Sequence, residues 1–229
     1  MIPRIVLAGD QPVALIGIAE AIARSGVGLV TGQAASMDEL QDILQTGWCD
    51  LIVTDFRMPE RDRTGGLALL QDIRTAYPKI PLAVMTGMDN PAIHHAVLSM
   101  GVKALISKSD RLNEIPQAIK EVMLGSTYLS TTVLLAIVQG GLPLDFQQPR
   151  LSCLGREECR IVSALAAGSS VEDIASKLGV STAIVFWRKH AVMRKLGARS
   201  DRELFAYLDE LAGLPGEWFV DEEPMPELA

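Results

Sequence analysis

Long apolar runs, paired cysteines and clustered histidines are all missing from this 229-residue chain, and each absence removes a class of function. No stretch reaches the roughly 18 apolar residues that a membrane helix needs. The amino terminus, Met1-Ile2-Pro3-Arg4, has no signal-peptide pattern. The expectation is a cytoplasmic protein with no membrane partner. Cys49, Cys153 and Cys159 are odd in number and form no CxxC, so they read as reduced core thiols. His94 and His95 are adjacent. On a helix they would point about 100° apart, which argues against a metal pair and for a solvated or capping role. No glycine-rich phosphate loop follows the first apolar run, where Gly9-Asp10-Gln11-Pro12 stands. A flavodoxin-like enzyme is therefore not expected.

What is present fits one or two globular domains. Apolar residues make up 48% of the chain and charged residues 21%, with a net charge of −7. Residues 1–125 alternate short Val/Ile/Leu-rich runs with helical patterns. Strands are expected near 3–8, 27–32, 50–54, 80–85 and 103–107, and helices near 12–24, 37–46, 66–76, 90–100 and 112–123. Short continuous apolar strands belong to a parallel sheet covered on both faces. Right-handed crossovers then give a flavodoxin-like five-stranded α/β sheet of order 2-1-3-4-5. Residues 126–150 read as a helix at 130–139 followed by a linker, residues 151–213 as an all-α domain of four helices, and residues 214–229 as an acidic tail.

Four polar residues stand at the ends of apolar runs. Asp10 follows Ile5-Val6-Leu7-Ala8, Asp55 follows Ile52-Val53-Thr54, Thr86 follows Leu82-Ala83-Val84-Met85, and Lys108 closes Ala104-Leu105-Ile106-Ser107. In open α/β sheets the reactive crevice lies beyond the carboxyl ends of the strands. Two acids, a hydroxyl and a lysine gathered there could hold Mg²⁺ and an acyl phosphate. This half of the chain resembles the receiver domain of bacterial two-component response regulators. The turn after Met58-Pro59, with its insertion Glu60-Arg61-Asp62-Arg63-Thr64-Gly65, and the phrase Asn90-Pro91-Ala92-Ile93 are most similar to regulators of the Rcs capsule-synthesis type. The resemblance implies that Asp55 is the phosphoacceptor and that Thr86 and Lys108 are the switch hydroxyl and phosphate-binding lysine. It also implies Mg²⁺ held by Asp10, Asp55 and the Arg57 carbonyl. Receivers usually carry a second, outer acid where Gly9 stands. Weak Mg²⁺ binding is expected, and a receiver that is never phosphorylated is the alternative. Leu105 stands where many receivers have a rotating aromatic ring, so any switch must work without it.

The second half has its own pattern. Leu154, Glu158, Ile161, Val162 and Leu165 mark an amphipathic helix stopped at Gly168. Ser170 is placed to cap a second helix that ends at Gly179, and Ser181 to cap a third that runs to Leu196-Gly197. This is a helix-turn-helix layout. Asp173-Ile174-Ala175, Leu178-Gly179-Val180-Ser181 and Arg194-Lys195-Leu196-Gly197 are similar to the LuxR/FixJ-type output domain. Between 182 and 202 there are six bases and one acid, a local excess that suits a phosphate-facing surface. Expected DNA contacts are Arg188, Lys189, Arg194 and Lys195, with Thr182 and Ile184 at the start of the recognition helix. Phe186 and Trp187 break the pattern, because neither can hydrogen-bond a base as Arg or Asn does. Leu204, Tyr207, Leu208 and Leu211 form an apolar stripe at i, i+3, i+4 and i+7, and the resemblance implies that it pairs two output domains.

These features lead to an expected non-enzymatic function, a phosphorylation-controlled DNA-binding transcriptional regulator. The partners implied are double-stranded DNA, a histidine kinase or histidine phosphotransfer protein, and a second copy. An auxiliary regulator is one more that the Rcs resemblance allows. The competing reading is an atypical receiver that acts through protein–protein contacts. The tail from Pro215 to Ala229 has five acids and no base. It reads either as a solvated tail or as a strip that masks the basic surface.

Overall fold

Apolar runs too short for helices form a parallel sheet in the computed structural model, which describes residues 2–58, 65–146 and 154–212. The strands are β1 (Arg4–Ala8), β2 (Leu29–Ala34), β3 (Leu51–Asp55), β4 (Leu82–Thr86), β5 (Ala104–Ser107) and β6 (Tyr128–Leu129). They lie in the order β2-β1-β3-β4-β5-β6, all parallel. The expected order holds for the first five. The sixth is a correction. Gly125 (φ 86) turns the chain back after the fifth helix, and Tyr128 and Ser130 donate their N–H groups to Lys103 and Leu105. Two residues carry too little pattern to be read as a strand.

The first-half helices are α1 (Pro12–Ser25), α2 (Met37–Thr46), α3 (Leu67–Ala76), α4 (Pro91–Ser99), α5 (Glu114–Met123) and α6 (Thr131–Gln139). Successive strand residues face opposite sides of the sheet. Ile5, Leu7, Leu51, Val53, Ala83 and Met85 pack under Leu15, Ile18 and Ile22 of α1 and Ile115 and Ile119 of α5. Val6, Ala8, Ile52, Val84 and Leu105 pack against α2, α3 and α4. Because β3, β4 and β5 are buried along their whole length, the residues at their ends are held by the sheet. Leu105 is wholly buried in one of these layers.

Four helices follow: α7 (Arg156–Ala166), α8 (Val171–Leu178), α9 (Thr182–Leu196) and α10 (Asp201–Ala212). The Oγ of Ser170 accepts the Asp173 N–H at 3.1 Å, and that of Ser181 accepts the Ile184 N–H at 3.4 Å. Gly179 ends α8 at φ 63, in the left-handed region that glycine enters without penalty.

The two halves are packed together. α10 lies on α7 of its own half and on α3 and α4 of the other. Leu142, expected in a linker, is buried so close to Gly197 that a Cβ there would stand 2.6 Å from Leu142 Cγ. His94 and His95 correct another expectation. Both are buried, not solvated. The Nε2 atom of His94 lies 2.8 Å from the Met88 carbonyl, and that of His95 3.1 Å from the Asp145 carbonyl. Burial pushes the His94 pKa down. Among the described residues Cys49 and Cys159 are free thiols, while Cys153 and the acidic tail lie outside them.

Candidate phosphoacceptor site and helix-turn-helix surface

Asp55 ends β3 with its side chain buried, and the neighbouring strand ends surround it. The Lys108 ammonium lies 2.9 Å from Asp55 Oδ2. Asp55 Oδ1 is buried and has no hydrogen-bond partner. Burial raises the Asp55 pKa, Lys108 opposes the rise, and Asp10 adds to it by like charge. Asp10 is exposed at the rim. Thr86 is buried at the end of β4, and its Oγ1 accepts the Met88 N–H at 3.0 Å. The Lys108 N–H donates to the Thr86 carbonyl at 2.7 Å, which ties the ends of β4 and β5 together.

An unpaired carboxylate oxygen at a buried site is open to a cation. The Asp55 carboxylate and the nearby Asp10 carboxylate are hard oxygen donors of the kind that suits Mg²⁺. Gly9 sits directly against Asp55. A Cβ there would stand 2.9 Å from Asp55 Oδ2 and 3.2 Å from its Cγ. Among the described residues no three acidic, histidine or cysteine side chains form a metal cluster.

Arg57 also reaches across to the output half. Its guanidinium pairs with Glu210 Oε1 of α10 at 2.7 Å. Glu210 Oε2 accepts the Leu67 N–H at 3.1 Å, capping the start of α3 from another domain. Gly66, at φ 76, leaves room for it, since a Cβ there would collide with that carboxylate. Burial raises the Glu210 pKa against the pull of Leu67 and Arg57. The loop after β4 is tied down too. Asn90 Oδ1 accepts the Ala92 N–H to cap α4, and Asn90 Nδ2 donates to the Glu203 carbonyl at 2.8 Å. Arg199 donates to the Asp89 carbonyl at 2.8 Å. Sequence reading missed Glu210 and Asn90 as coupling residues.

Two matches identify the halves. The model described as the response regulator receiver domain matches residues 5–120, half of the chain. The chain belongs to the response regulator receiver family. A second model, bacterial regulatory proteins of the luxR family, matches residues 152–208 of this receiver protein. Transcriptional regulatory protein RcsB of Escherichia coli (strain K12) is 26% identical over 215 residues, covering 93% of this chain and 97% of RcsB. The probable transcriptional regulatory protein NarL of Mycobacterium tuberculosis is 25% identical over 202 residues, covering 87% and 89%. The fold matches a solved RcsB–DNA complex with a TM-score of 0.82 at 24% identity, over 92% of this chain and 100% of that one. RcsB from Salmonella enterica serovar Typhimurium, bound to promoter rprA, matches with a TM-score of 0.79 at 25% identity, over 91% and 99%.

The output half of this receiver protein changes the electrostatic picture. Lys189, expected at the DNA, is buried on the core face of α9 beside Val185, Val192 and Met193. Its ammonium donates to Asp201 at 2.7 Å. Arg188 pairs with Glu157, Lys195 with Glu158 at 2.6 Å, and Arg199 with Glu203 at 2.8 Å. Arg194 and Arg202 make no ion pair among the described residues, and both are exposed. The basic excess is thus largely neutralised within the chain. Thr182 and Ile184 are exposed at the start of α9, as expected. His190, overlooked in the sequence, shares the exposed face with Phe186, from which it is one helical turn away.

A measurable consequence concerns salt. Two free bases correspond to a slope of log K against log salt near −2, at about −0.9 per neutralised phosphate. Glu157→Gln frees Arg188 and is expected to steepen the slope by roughly one unit. A titration of duplex binding at several salt concentrations checks both values. An unchanged slope in the variant would mean that Arg188 faces away from phosphate.

The apolar stripe of α10 is also differently placed from the expectation. Leu204, Tyr207, Leu208 and Leu211 are 0, 1, 1 and 3% exposed, buried within one chain. In this arrangement they are not free to meet a second one.

Proposed function

We propose that this protein is a response regulator in which Asp55 accepts a phosphoryl group and the α7–α10 domain binds DNA to regulate transcription. The Lys108–Asp55 pair at the strand ends, with Asp55 Oδ1 left unpartnered, carries the reading. In the reaction that oxygen would attack the phosphorus of a donor phosphohistidine, and the imidazole would leave. Lys108 would shift from Asp55 to the phosphoryl oxygens that gain charge. The Thr86 hydroxyl accepts the Met88 N–H and keeps its own proton to donate to a phosphoryl oxygen. Bound Mg²⁺, held by Asp10, Asp55 and the Arg57 carbonyl, would supply charge neutralisation.

Gly9 in place of an outer acid is the reason to expect weak Mg²⁺ binding. Restoring one charged contact is worth on the order of 1–2 kcal/mol, about tenfold in affinity. Gly9→Asp is therefore expected to tighten Mg²⁺ about tenfold by calorimetry. Gly9→Ala adds only the crowding Cβ beside Asp55 and should not tighten it. Equal affinities in all three proteins would refute this account of position 9.

The same loop gives phosphorylation a path to the output helices. Arg57 would contribute its carbonyl to the metal and its guanidinium to Glu210, so a change at Asp55 reaches α10 through one residue. The α10 stripe would pair two chains only after α10 leaves α3 and α4. A histidine kinase or phosphotransfer protein is the phosphoryl donor this chemistry requires, and an auxiliary regulator remains a further partner to be tested. The deciding experiment treats the full chain with phosphoramidate and Mg²⁺, then compares sedimentation and duplex binding with the untreated protein. Phosphorylated protein that is more dimeric and binds duplex more tightly supports the reading. A modified protein unchanged in both refutes the coupling.

A further inference from the structure

The face that α9 turns to solvent is apolar where a helix-turn-helix protein meets base edges. Ile184, Phe186 and Trp187 are 41, 54 and 67% exposed. Phe186 is held in place. The edge of the His190 ring meets it at 4.4 Å between centroids, and the Lys189 ammonium, anchored by Asp201, lies 5.8 Å from its ring centre. The long polar side chains that would read bases by hydrogen bonding are turned elsewhere, Lys189 inward and Arg188 onto Glu157. An exposed aromatic fixed on both sides is preorganised for contact and loses little freedom on binding.

We propose that α9 reads duplex DNA through thymine methyl groups, with Phe186 and Trp187 as the reading side chains. This rests on the DNA-binding function proposed above and adds its sequence class. The major groove presents only one apolar group, the C5-methyl of thymine. Exposed rings on the helix that enters that groove match it and no other base feature. The flanks suit DNA as well. Arg194 lies two turns along the same exposed face and makes no ion pair among the described residues, and Ser181 caps an α9 amino terminus that can face phosphate. A protein partner is the weaker occupant. Three side chains on a convex helix supply a small part of the roughly 800 Å² per partner that a stable protein interface buries.

The test uses the full-length protein and three synthetic duplexes: alternating dA·dT, the same polymer with uracil in place of thymine, and alternating dG·dC. Uracil keeps every hydrogen-bonding group of thymine and lacks only the methyl. Binding of dA·dT about tenfold tighter than the uracil duplex is expected, corresponding to two methyl contacts. The difference should collapse in the Phe186→Ala, Trp187→Ala double variant, whose exposed positions leave thermal unfolding unchanged. Equal affinity for the thymine and uracil duplexes overturns the proposal and leaves DNA binding standing. Failure to bind any duplex at low salt overturns DNA binding itself. If the double variant alters self-association in sedimentation and not the thymine-to-uracil ratio, the face is a protein contact and the proposal falls.

Discussion

Asp55→Asn is expected to abolish acyl-phosphate formation while leaving the fold intact. The amide matches the carboxylate in size, so the layers around β3 keep their packing, but it offers no nucleophilic oxygen of comparable strength. Lys108 loses a partner and remains a third exposed, able to reach water. Stability at neutral pH should hold or rise. Burial lifts the Asp55 pKa, so the folded protein binds that proton more readily than the unfolded chain. The group therefore favours the fold at acid pH and loses that contribution as pH rises through its folded pKa. Asparagine removes this dependence. The measurement is intact mass after phosphoramidate and Mg²⁺ treatment, with an unfolding curve at two pH values. A phosphoryl adduct on the Asn variant would mean that another residue is the acceptor.

Tyr207→Ala should give the largest loss of stability of any single change considered for the output domain, about 3–5 kcal/mol by analogy with other large buried aromatics. The ring is 1% exposed in α10, which packs on α7 and on α3 and α4. Removing it opens a cavity in the output core and loosens the face that holds the two halves together. Phe205→Ala, two residues away and 40% exposed, should cost less than about 1 kcal/mol. Chemical denaturation of both variants separates the cases. Similar midpoints would place Tyr207 outside the core and return the α10 stripe to the surface, where pairing with a second chain would be its main use.

The alternation of short apolar runs with helical patterns determined the receiver sheet and its order, because a parallel strand buried on both faces has few other compositions open to it. The same runs placed Asp55, Thr86 and Lys108, since a polar residue that ends a buried strand must emerge at its edge. The capping serines and glycine stops fixed α8 and α9 for a similarly local reason. Lys189 was legible in principle. It stands four residues after Val185 and three before Val192, on the core side of the helix, but the charge tally treated all the bases alike. His190 had a comparable signal, one turn from Phe186. Only the tertiary structure could decide the pairing of Arg57 with Glu210, of Asn90 with Glu203, and of Arg188, Lys189 and Lys195 with their acids. The first two join parts of the chain 153 and 113 residues apart. Local sequence patterns do not determine contacts over such distances. They arise where the two halves pack together and cover the polar side chains of Glu210 and Asn90, each of which must then find a partner.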